Sequence, residues 1–88
     1  MIEKSIKIQL NGGLEARPVA MLVQVASQHE SSVYIEAEGK KVNAKSIMGM
    51  MSLALGSGES VTVIADGSDE QEAMTSIEEY LSGSKQQG

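Results

Sequence analysis

Seven short segments, which differ in the type of their hydrophobic periodicity, follow one another within 88 residues, and their order constrains the fold. A repeat of two residues is typical of a strand with one buried face, and a repeat near 3.6 residues is typical of a helix. The strands are predicted at 5–10, 33–38, 40–42 and 60–65, and the helices at 17–28, 45–55 and 68–81. The buried faces are predicted to include Ile6, Ile8 and Leu10 on the first strand, and Val19, Leu22, Val23 and Ala26 on the first helix. The order βαββαβα predicts a two-layer α+β domain, in which helices cover one face of a largely antiparallel sheet. A ferredoxin-like domain has nearly the same order, so the arrangement of the strands stays open at this point.

The chain is expected to form a single domain over residues 1–88, because this length suffices for one hydrophobic core and not for two. Apolar residues make up 41% of the sequence and charged residues 22%, a balance typical of a globular protein. The last helix is predicted to begin with a capping box at 68–71. Its buried stripe is predicted to consist of Ala73, Met74, Ile77 and Leu81. Residues 82–88 are expected to form a frayed polar tail.

The composition argues against several classes of function. The chain has no Cys and only 1 His, so we expect neither a metal site nor a cofactor. Trp and Phe are absent and the net charge is −5, so direct binding of nucleic acid is not expected. No apolar run approaches the roughly 20 residues that a membrane-spanning helix needs. Because the first residues also lack the pattern of a signal peptide, we expect a cytoplasmic protein.

The segment 45–55 is predicted to be a helix with an unusually wide apolar surface. Its apolar side chains cover an arc of roughly 220°, whereas packing one face of a helix needs a stripe somewhat over about 100° wide. In so small a domain nearly every helix exposes one side to water, so part of this arc is expected to be exposed. Because Met side chains adapt to different surfaces, the pattern favours a helix that docks on a partner over one enclosed by the core.

Ser46 stands where this helix is predicted to begin. Taken alone, it is most simply an N-cap residue. The alternative is a phosphorylation site, because free N–H groups and the helix dipole tolerate an added anion there. The dipole contributes only about 0.3–1 kcal/mol, which is small beside a domain stability of about 5–15 kcal/mol. A phosphate on Ser46 is therefore expected to act by binding a partner's Arg or Lys, and not by refolding the domain.

A second candidate site is the Gly-rich turn at 13–18, which opens onto the first predicted helix. Such a junction binds small anions, and Arg17 adds a bidentate donor, but spacing alone favours an ordinary loop-to-helix connection. His29 lies between two polar residues and is expected at the surface. The basic cluster formed by Lys40, Lys41 and Lys45 is expected to be a solvated edge. No recognisable catalytic set of residues is present, so no enzymatic activity is expected.

The motifs at 13–18 (Gly-Leu-Glu-Ala-Arg-Pro) and 45–49 (Lys-Ser-Ile-Met-Gly), together with the order of the elements, resemble the HPr family. Members of this family are histidine-containing phosphocarriers of the bacterial sugar phosphotransferase system, and the resemblance runs from about residue 2 to residue 81. It implies an open-faced β-sandwich, with a four-stranded antiparallel sheet and three helices on one face. The second motif resembles the family's regulatory serine site at every position, whereas the first has Glu15 in place of the phosphotransfer His. In this respect the chain is similar to the Crh-like (catabolite repression HPr) branch of the family.

The resemblance implies a regulatory protein without catalytic activity. HPr kinase/phosphorylase would phosphorylate Ser46, and the phosphorylated protein would bind the LacI-type repressor CcpA as its corepressor. Because a carboxylate has no ring nitrogen, Glu15 would be a degenerate phosphohistidine position, and no transfer of phosphate to sugars is expected. By matching position, Arg17 would lie beside the phosphoserine in the complex. The apolar docking patch would consist of Met21, Ile47, Met48 and Met51.

Several alternatives stay open from the sequence. The chain is either such a regulator, a phosphocarrier that uses Glu15 or another acceptor, or a binding module that regulates a metabolic enzyme. The charge of Glu15 either has no influence, draws Arg17 away from a phosphate, or imitates a phosphorylated His. The oligomeric state is either a monomer or a homodimer in which the first strand is exchanged between chains.

Overall fold

The computed structural model describes residues 1–9, 16–53, 56 and 58–83, and at residues 16 and 17 it describes the backbone. The strands are β1 (Ile2–Lys7), β2 (Ser32–Ala37), β3 (Lys40–Asn43) and β4 (Ser60–Asp66), and the helices are α1 (Ala16–Ser27), α2 (Ile47–Met51) and α3 (Glu70–Leu81). The strands form one antiparallel sheet in the order β1-β4-β2-β3. The predicted α+β class, with three helices on one face of a four-stranded antiparallel sheet, is therefore confirmed.

The sheet register places the apolar side of each strand on the same face. Ile6 is opposite Val61, and Ile35 lies between Val63 on β4 and Val42 on β3. Because side chains alternate between the faces of a strand, this register directs the apolar side chains toward the helices. The helices supply the other half of the core with Val19, Leu22, Ala26, Met50, Ala73, Met74, Ile77, Tyr80 and Leu81.

The first strand lies earlier in the chain than the alternation predicts. It covers residues 2–7 instead of 5–10, although Ile6 and Ile8 are both buried as expected. Beyond the end of β1, Ile8 bonds to the chain at Gly58 and Glu59. Leu10, the last residue of the predicted strand, lies outside the described residues.

The helix α2 is much shorter than the predicted segment 45–55. It ends at Met51, because the Ser52 hydroxyl donates to the Gly49 carbonyl oxygen at 2.6 Å and the Ser52 N–H bonds to the same oxygen. A side chain that bonds to a backbone carbonyl in this way competes with continuation of the helix. Of the predicted remainder, Leu53 is buried, and residues 54 and 55 lie outside the described residues.

The start of α3 differs from the predicted capping box at 68–71. Asp69 is the N-cap residue, and its side chain makes no capping hydrogen bond. Its carboxylate instead accepts hydrogen bonds from the turn between α1 and β2, which the sequence pattern does not reveal. The predicted buried stripe is confirmed, and Tyr80 is buried with it.

Candidate functional site

Ser46 is the N-cap residue of α2. Its backbone is extended, with φ −111° and ψ 117°, and its hydroxyl oxygen accepts a hydrogen bond from the Gly49 N–H at 3.2 Å. This bond satisfies one of the N–H groups that have no partner within the first turn of a helix. The residue is half-buried, so it is held by the helix and remains partly exposed to solvent.

The segment that leads into α2 is fixed by the end of β3. The Asn43 side-chain oxygen accepts from the Lys45 N–H at 2.8 Å, and the Asn43 carbonyl oxygen accepts from the Ser46 N–H at 3.0 Å. Between them, Ala44 is fully buried and its N–H donates to the Val33 carbonyl oxygen at 2.8 Å. An Asx turn on a strand end therefore determines where Ser46 lies.

Directly after Ser46, α2 exposes apolar side chains that would ordinarily be buried. Met48 is 86% exposed, and Ile47 and Met51 are each 51% exposed. Met21 on α1 is 46% exposed, and the two helices are packed against each other. We call these four residues the apolar patch. Met50 faces the core instead, and Leu53 after the end of α2 is also buried, so the expectation that part of the apolar surface is exposed is confirmed.

The second predicted site lies largely outside the described residues. This is the case for Glu15 and for the side chain of Arg17, whose backbone lies in the first turn of α1. That turn is held by the Tyr80 hydroxyl, which donates to the Pro18 carbonyl oxygen at 3.2 Å. Burial raises the pKa of Tyr80 above its ordinary value, so this hydroxyl remains a donor over the whole range in which an ordinary Tyr is protonated. The start of α1 is therefore tied to the end of α3.

His29 is part of a polar cluster that sequence reasoning missed. Its side chain is 14% exposed and partly buried, so it is less exposed than the expectation of a surface residue implies. Its Nδ1 lies 3.4 Å from Asp69 Oδ2, and its Nε2 lies 3.2 Å from the Ser76 hydroxyl oxygen. The polar neighbours of His29 in the chain suggested exposure, because no local pattern shows that α3 packs over this turn.

Asp69 connects α3 to the turn after α1. It accepts hydrogen bonds from the Ser31 hydroxyl, from the Ser31 N–H at 2.9 Å and from the Glu30 N–H at 3.0 Å. The Ser31 hydroxyl makes the largest contribution to lowering the pKa of the Asp69 carboxyl far below its usual range, and the two backbone N–H groups lower it further. We call the contacts among His29, Ser31, Asp69 and Ser76 the turn clasp.

The turn clasp brings together a Ser, a His and an Asp, the residue types of a nucleophilic relay. Beside it is a shallow depression of about 390 Å³, lined by His29, Gln71, Glu72, Thr75 and Ser76. Ser76 lies in the interior of α3, where the backbone N–H groups are bonded within the helix and cannot stabilise an oxyanion. The geometry therefore favours a structural role for the turn clasp.

The described part of the chain lacks two further kinds of feature. Within it, no group of three or more His, Asp or Glu side chains is arranged to hold a metal ion. None of the helices described there is long and apolar enough to cross a membrane.

Comparisons with known proteins point to one family. The family model described as the PTS HPr component phosphorylation site matches residues 2–83. The HPr-like protein Crh of Halalkalibacterium halodurans is 53% identical over 81 residues, which cover 92% of this chain and 96% of that protein. The crystal structure of the phosphocarrier protein HPr from Bacillus anthracis has a TM-score of 0.88 and 45% identity, covering 91% of this chain and 95% of that one. The crystal structure of Bacillus subtilis Crh, described as a dimer with a swapping domain, has a TM-score of 0.78 and 48% identity, covering 99% of this chain and 100% of that one.

Proposed function

This chain is a member of the HPr family, and from that premise we propose that it is a Crh-type regulator of carbon catabolite repression, switched by phosphorylation of Ser46. The similarity to Crh proteins supports the regulatory role. The switch at Ser46, the enzyme that sets it and the repressor that binds it are the finer parts of the proposal. They rest on the motif at 45–49 and on the geometry around α2.

The observation that carries the proposal is the position of Ser46 beside the apolar patch. A half-buried hydroxyl at the first turn of α2 is followed at once by Ile47 and Met48, which are 51% and 86% exposed. A phosphate on Ser46 therefore adds about 1.5–2 negative charges at pH 7 at the border of an apolar surface. A partner that combines a basic pocket with an apolar groove gains both contacts only with the phosphorylated form.

HPr kinase/phosphorylase is the proposed source of the phosphate. The Ser46 oxygen attacks the γ-phosphorus of ATP, the new O–P bond forms, and the bond from that phosphorus to the β,γ-bridging oxygen breaks. ADP leaves, and the hydroxyl proton passes to a base of the kinase. The hydrogen bond from the Gly49 N–H to the Ser46 oxygen places a backbone donor next to the proposed phosphate, which is favourable for an anion at a helix N-terminus.

CcpA is the proposed reader of the phosphorylated form, with this chain as its corepressor. Arg17 is proposed to lie beside the phosphate in that complex, and the apolar patch of Met21, Ile47, Met48 and Met51 is proposed to fill the repressor's groove. A phosphate at the end of a helix changes stability by about 0.3–1 kcal/mol, which is too little to remodel the fold. The phosphate therefore acts through the contacts that it makes with the repressor.

Glu15 is the reason for proposing a regulator and not a phosphocarrier. A carboxylate lacks the imidazole nitrogen on which a phosphohistidine forms, so the chain is not expected to accept phosphate from enzyme I. His29 does not replace it, because its ring is held in the turn clasp between Asp69 and Ser76. Incubation with phosphoenolpyruvate, enzyme I and a sugar permease tests this, since label that reaches the sugar would establish a phosphocarrier instead.

The central experiment is phosphorylation by HPr kinase/phosphorylase and ATP, followed by mass spectrometry and by a binding measurement with CcpA. We expect one phosphate on Ser46 and a much tighter complex with the phosphorylated form. Ser46→Asn is the matched control, because Asn also caps helices and cannot be phosphorylated in this reaction. If the repressor binds the unmodified and the phosphorylated chain equally, the protein is a constitutive binding module and the switch is wrong.

A dimer formed by exchange of β1 is a further part of the proposal. In the described residues β1 is an edge strand that pairs with β4 alone, in a register from Ile2↔Ala65 to Lys7↔Ser60. The same pairing is available to the β4 of a second copy, so exchange preserves every strand contact. Light scattering across a range of concentrations tests this, and a monomer at all concentrations would exclude the dimer.

A further inference from the structure

Lys45 differs from the other lysines of the predicted basic cluster. Lys40 and Lys41 are exposed as expected, and the Lys41 ammonium lies 4.9 Å from the centre of the Tyr34 ring. Lys45 is half-buried, and its Nζ donates to the His29 carbonyl oxygen at 2.8 Å. The residue before Ser46 therefore makes a charge-assisted hydrogen bond to a residue 16 positions earlier in the chain.

The acceptor of this bond is a fixed point of the fold. The His29 N–H bonds to the Ala26 carbonyl oxygen at 3.2 Å, and the His29 ring is held between Asp69 and Ser76. On the other side of His29, the Asp69 carboxylate binds the Glu30 and Ser31 N–H groups. The turn clasp thus ties the chain on both sides of the His29 carbonyl to α3.

The donor of this bond, Lys45, lies in the segment that carries Ser46. Lys45 is the residue between the Asx turn at Asn43 and the N-cap of α2. The segment's other hydrogen bonds reach Asn43, Gly49 and, through the Ala44 N–H, the Val33 carbonyl, and the Lys45 side chain adds a contact to the turn that holds His29. Loss of this contact removes the link between the segment and the turn after α1, and leaves the segment attached to β2, β3 and α2.

We propose that Lys45 is a positioning residue for the phosphorylation of Ser46, acting through the carbonyl of His29. The inference rests on the proposed modification of Ser46 and specifies how that hydroxyl is presented to the kinase. A segment that is ordered before binding loses less conformational entropy when the kinase engages it. The bond from Lys45 therefore improves recognition of the substrate without taking part in the chemical step.

The test is steady-state phosphorylation of Lys45→Met by HPr kinase/phosphorylase and ATP. Met preserves most of the side-chain length and removes the ammonium group. We expect KM for the protein substrate to rise about tenfold and kcat to stay within about twofold, because the lost contact orders the substrate before the reaction. Lys41→Met is the matched control, since it removes an equal charge from an exposed neighbour and should leave both constants within about twofold. Lys45→Arg, which keeps a cationic donor, should recover part of the lost affinity.

A direct contact between the Lys45 ammonium and the kinase is the rival explanation, and a double-mutant cycle separates the two. Ser31→Ala removes a hydroxyl donor from Asp69 and loosens the turn that holds His29. If Lys45 acts through that turn, Ser31→Ala should raise KM in the wild-type background and have little further effect on Lys45→Met. If the two effects multiply, Lys45 acts independently of the turn and the proposal is overturned.

Hydrogen exchange without the kinase gives an independent readout. Lys45→Met should reduce the protection of the Gly49 amide, which depends on the position of the Ser46 oxygen, whereas Lys41→Met should not. Unchanged protection in Lys45→Met would overturn the positioning role, whatever the kinetics show. If wild-type protein is not phosphorylated on Ser46 at all, the proposed function fails, and the exchange experiment still decides whether Lys45 orders the segment.

Discussion

Met48 and Met50, two residues apart on α2, are expected to respond to the same substitution in opposite ways. Met48 is 86% exposed and Met50 is fully buried at 0%. Met50→Ala removes side-chain volume from the core and should lower the free energy of unfolding by about 2–5 kcal/mol. For a domain of this size each kcal/mol corresponds to a shift of roughly 4–8 °C in Tm, so the loss should be at least about 8 °C. Met48→Ala removes a side chain that is already in water and should change the free energy of unfolding by less than about 0.5 kcal/mol.

Binding to the repressor should show the opposite order. Complete burial of a Met side chain is worth about 1.5–3 kcal/mol, and each 1.4 kcal/mol corresponds to tenfold in Kd. Docking of Met48 into a groove should therefore make the Kd of the phosphorylated Met48→Ala variant about tenfold weaker, because Ala retains only part of that contact. Calorimetric titration with CcpA measures this effect, and thermal unfolding monitored by circular dichroism measures the first.

The interpretation of α2 as a docking helix depends on this contrast. If Met48→Ala binds the repressor as tightly as wild type, the apolar patch is not the docking surface and the wide apolar arc needs another explanation. If Met48→Ala is as unstable as Met50→Ala, Met48 is buried in solution, and the described orientation of α2 is wrong. Phosphorylation of each variant is confirmed by mass spectrometry first, so that a weaker complex is not caused by incomplete modification.

Three further predictions concern the elements that hold the site. Gly67→Ala should lower Tm far more than Gly39→Ala. Both residues have positive φ, but a Cβ at Gly67 would lie 2.6 Å from the Ser31 Cα, whereas a Cβ at Gly39 would contact nothing within 4 Å. Equal losses of Tm in thermal unfolding would contradict this. The Asp69 carboxyl has a lowered pKa in the folded state, so its contribution to stability is complete above its unfolded value of about 3.9 and is lost as the pH falls below it. Urea unfolding between pH 5 and pH 2 should therefore show a weaker pH dependence for Asp69→Asn than for wild type. Ser46→Ala removes the N-cap and should cost about 1 kcal/mol, whereas Ser46→Asn should unfold within a few degrees of wild type; an Ala variant as stable as wild type would show that the bond to Gly49 contributes nothing.

Local sequence patterns were sufficient to predict the order of the strands and helices, their buried faces and the N-cap position of Ser46. Ile6 and Ile8 mark the buried face of the first strand, and Val19, Leu22, Val23 and Ala26 mark that of the first helix. The structure confirms their burial, except that Val23 is partly buried against the core. These patterns work because neighbouring positions in a strand or a helix face the same side, so burial leaves a periodic trace in the sequence. The N-cap position of Ser46 and the exposed arc of α2 follow from the same local rules.

Element ends that depend on a single side chain were predicted less well. The helix α2 ends at Met51, four residues before the predicted end at residue 55, because the Ser52 hydroxyl donates a hydrogen bond to the Gly49 carbonyl oxygen. The capping box predicted at the start of α3 is wrong, because the Asp69 carboxylate accepts hydrogen bonds from the turn after α1 and not from the first turn of α3. In both places the preference for a given end is small, and one hydrogen bond of ordinary strength is enough to reverse it.

The amino-acid sequence by itself determined the order of strands and helices, their buried faces and the serine at the head of an apolar helix. Only the tertiary structure decided that β4 lies between β1 and β2, that the His29 ring contacts α3, and that Lys45 binds the His29 carbonyl. The contact between His29 and Ser76 joins residues 47 positions apart, and that between Ser31 and Asp69 joins residues 38 positions apart. No sequence periodicity predicts such pairs. They form only when the burial of whole faces brings distant segments together, and the polar groups at the contact then hydrogen-bond to one another.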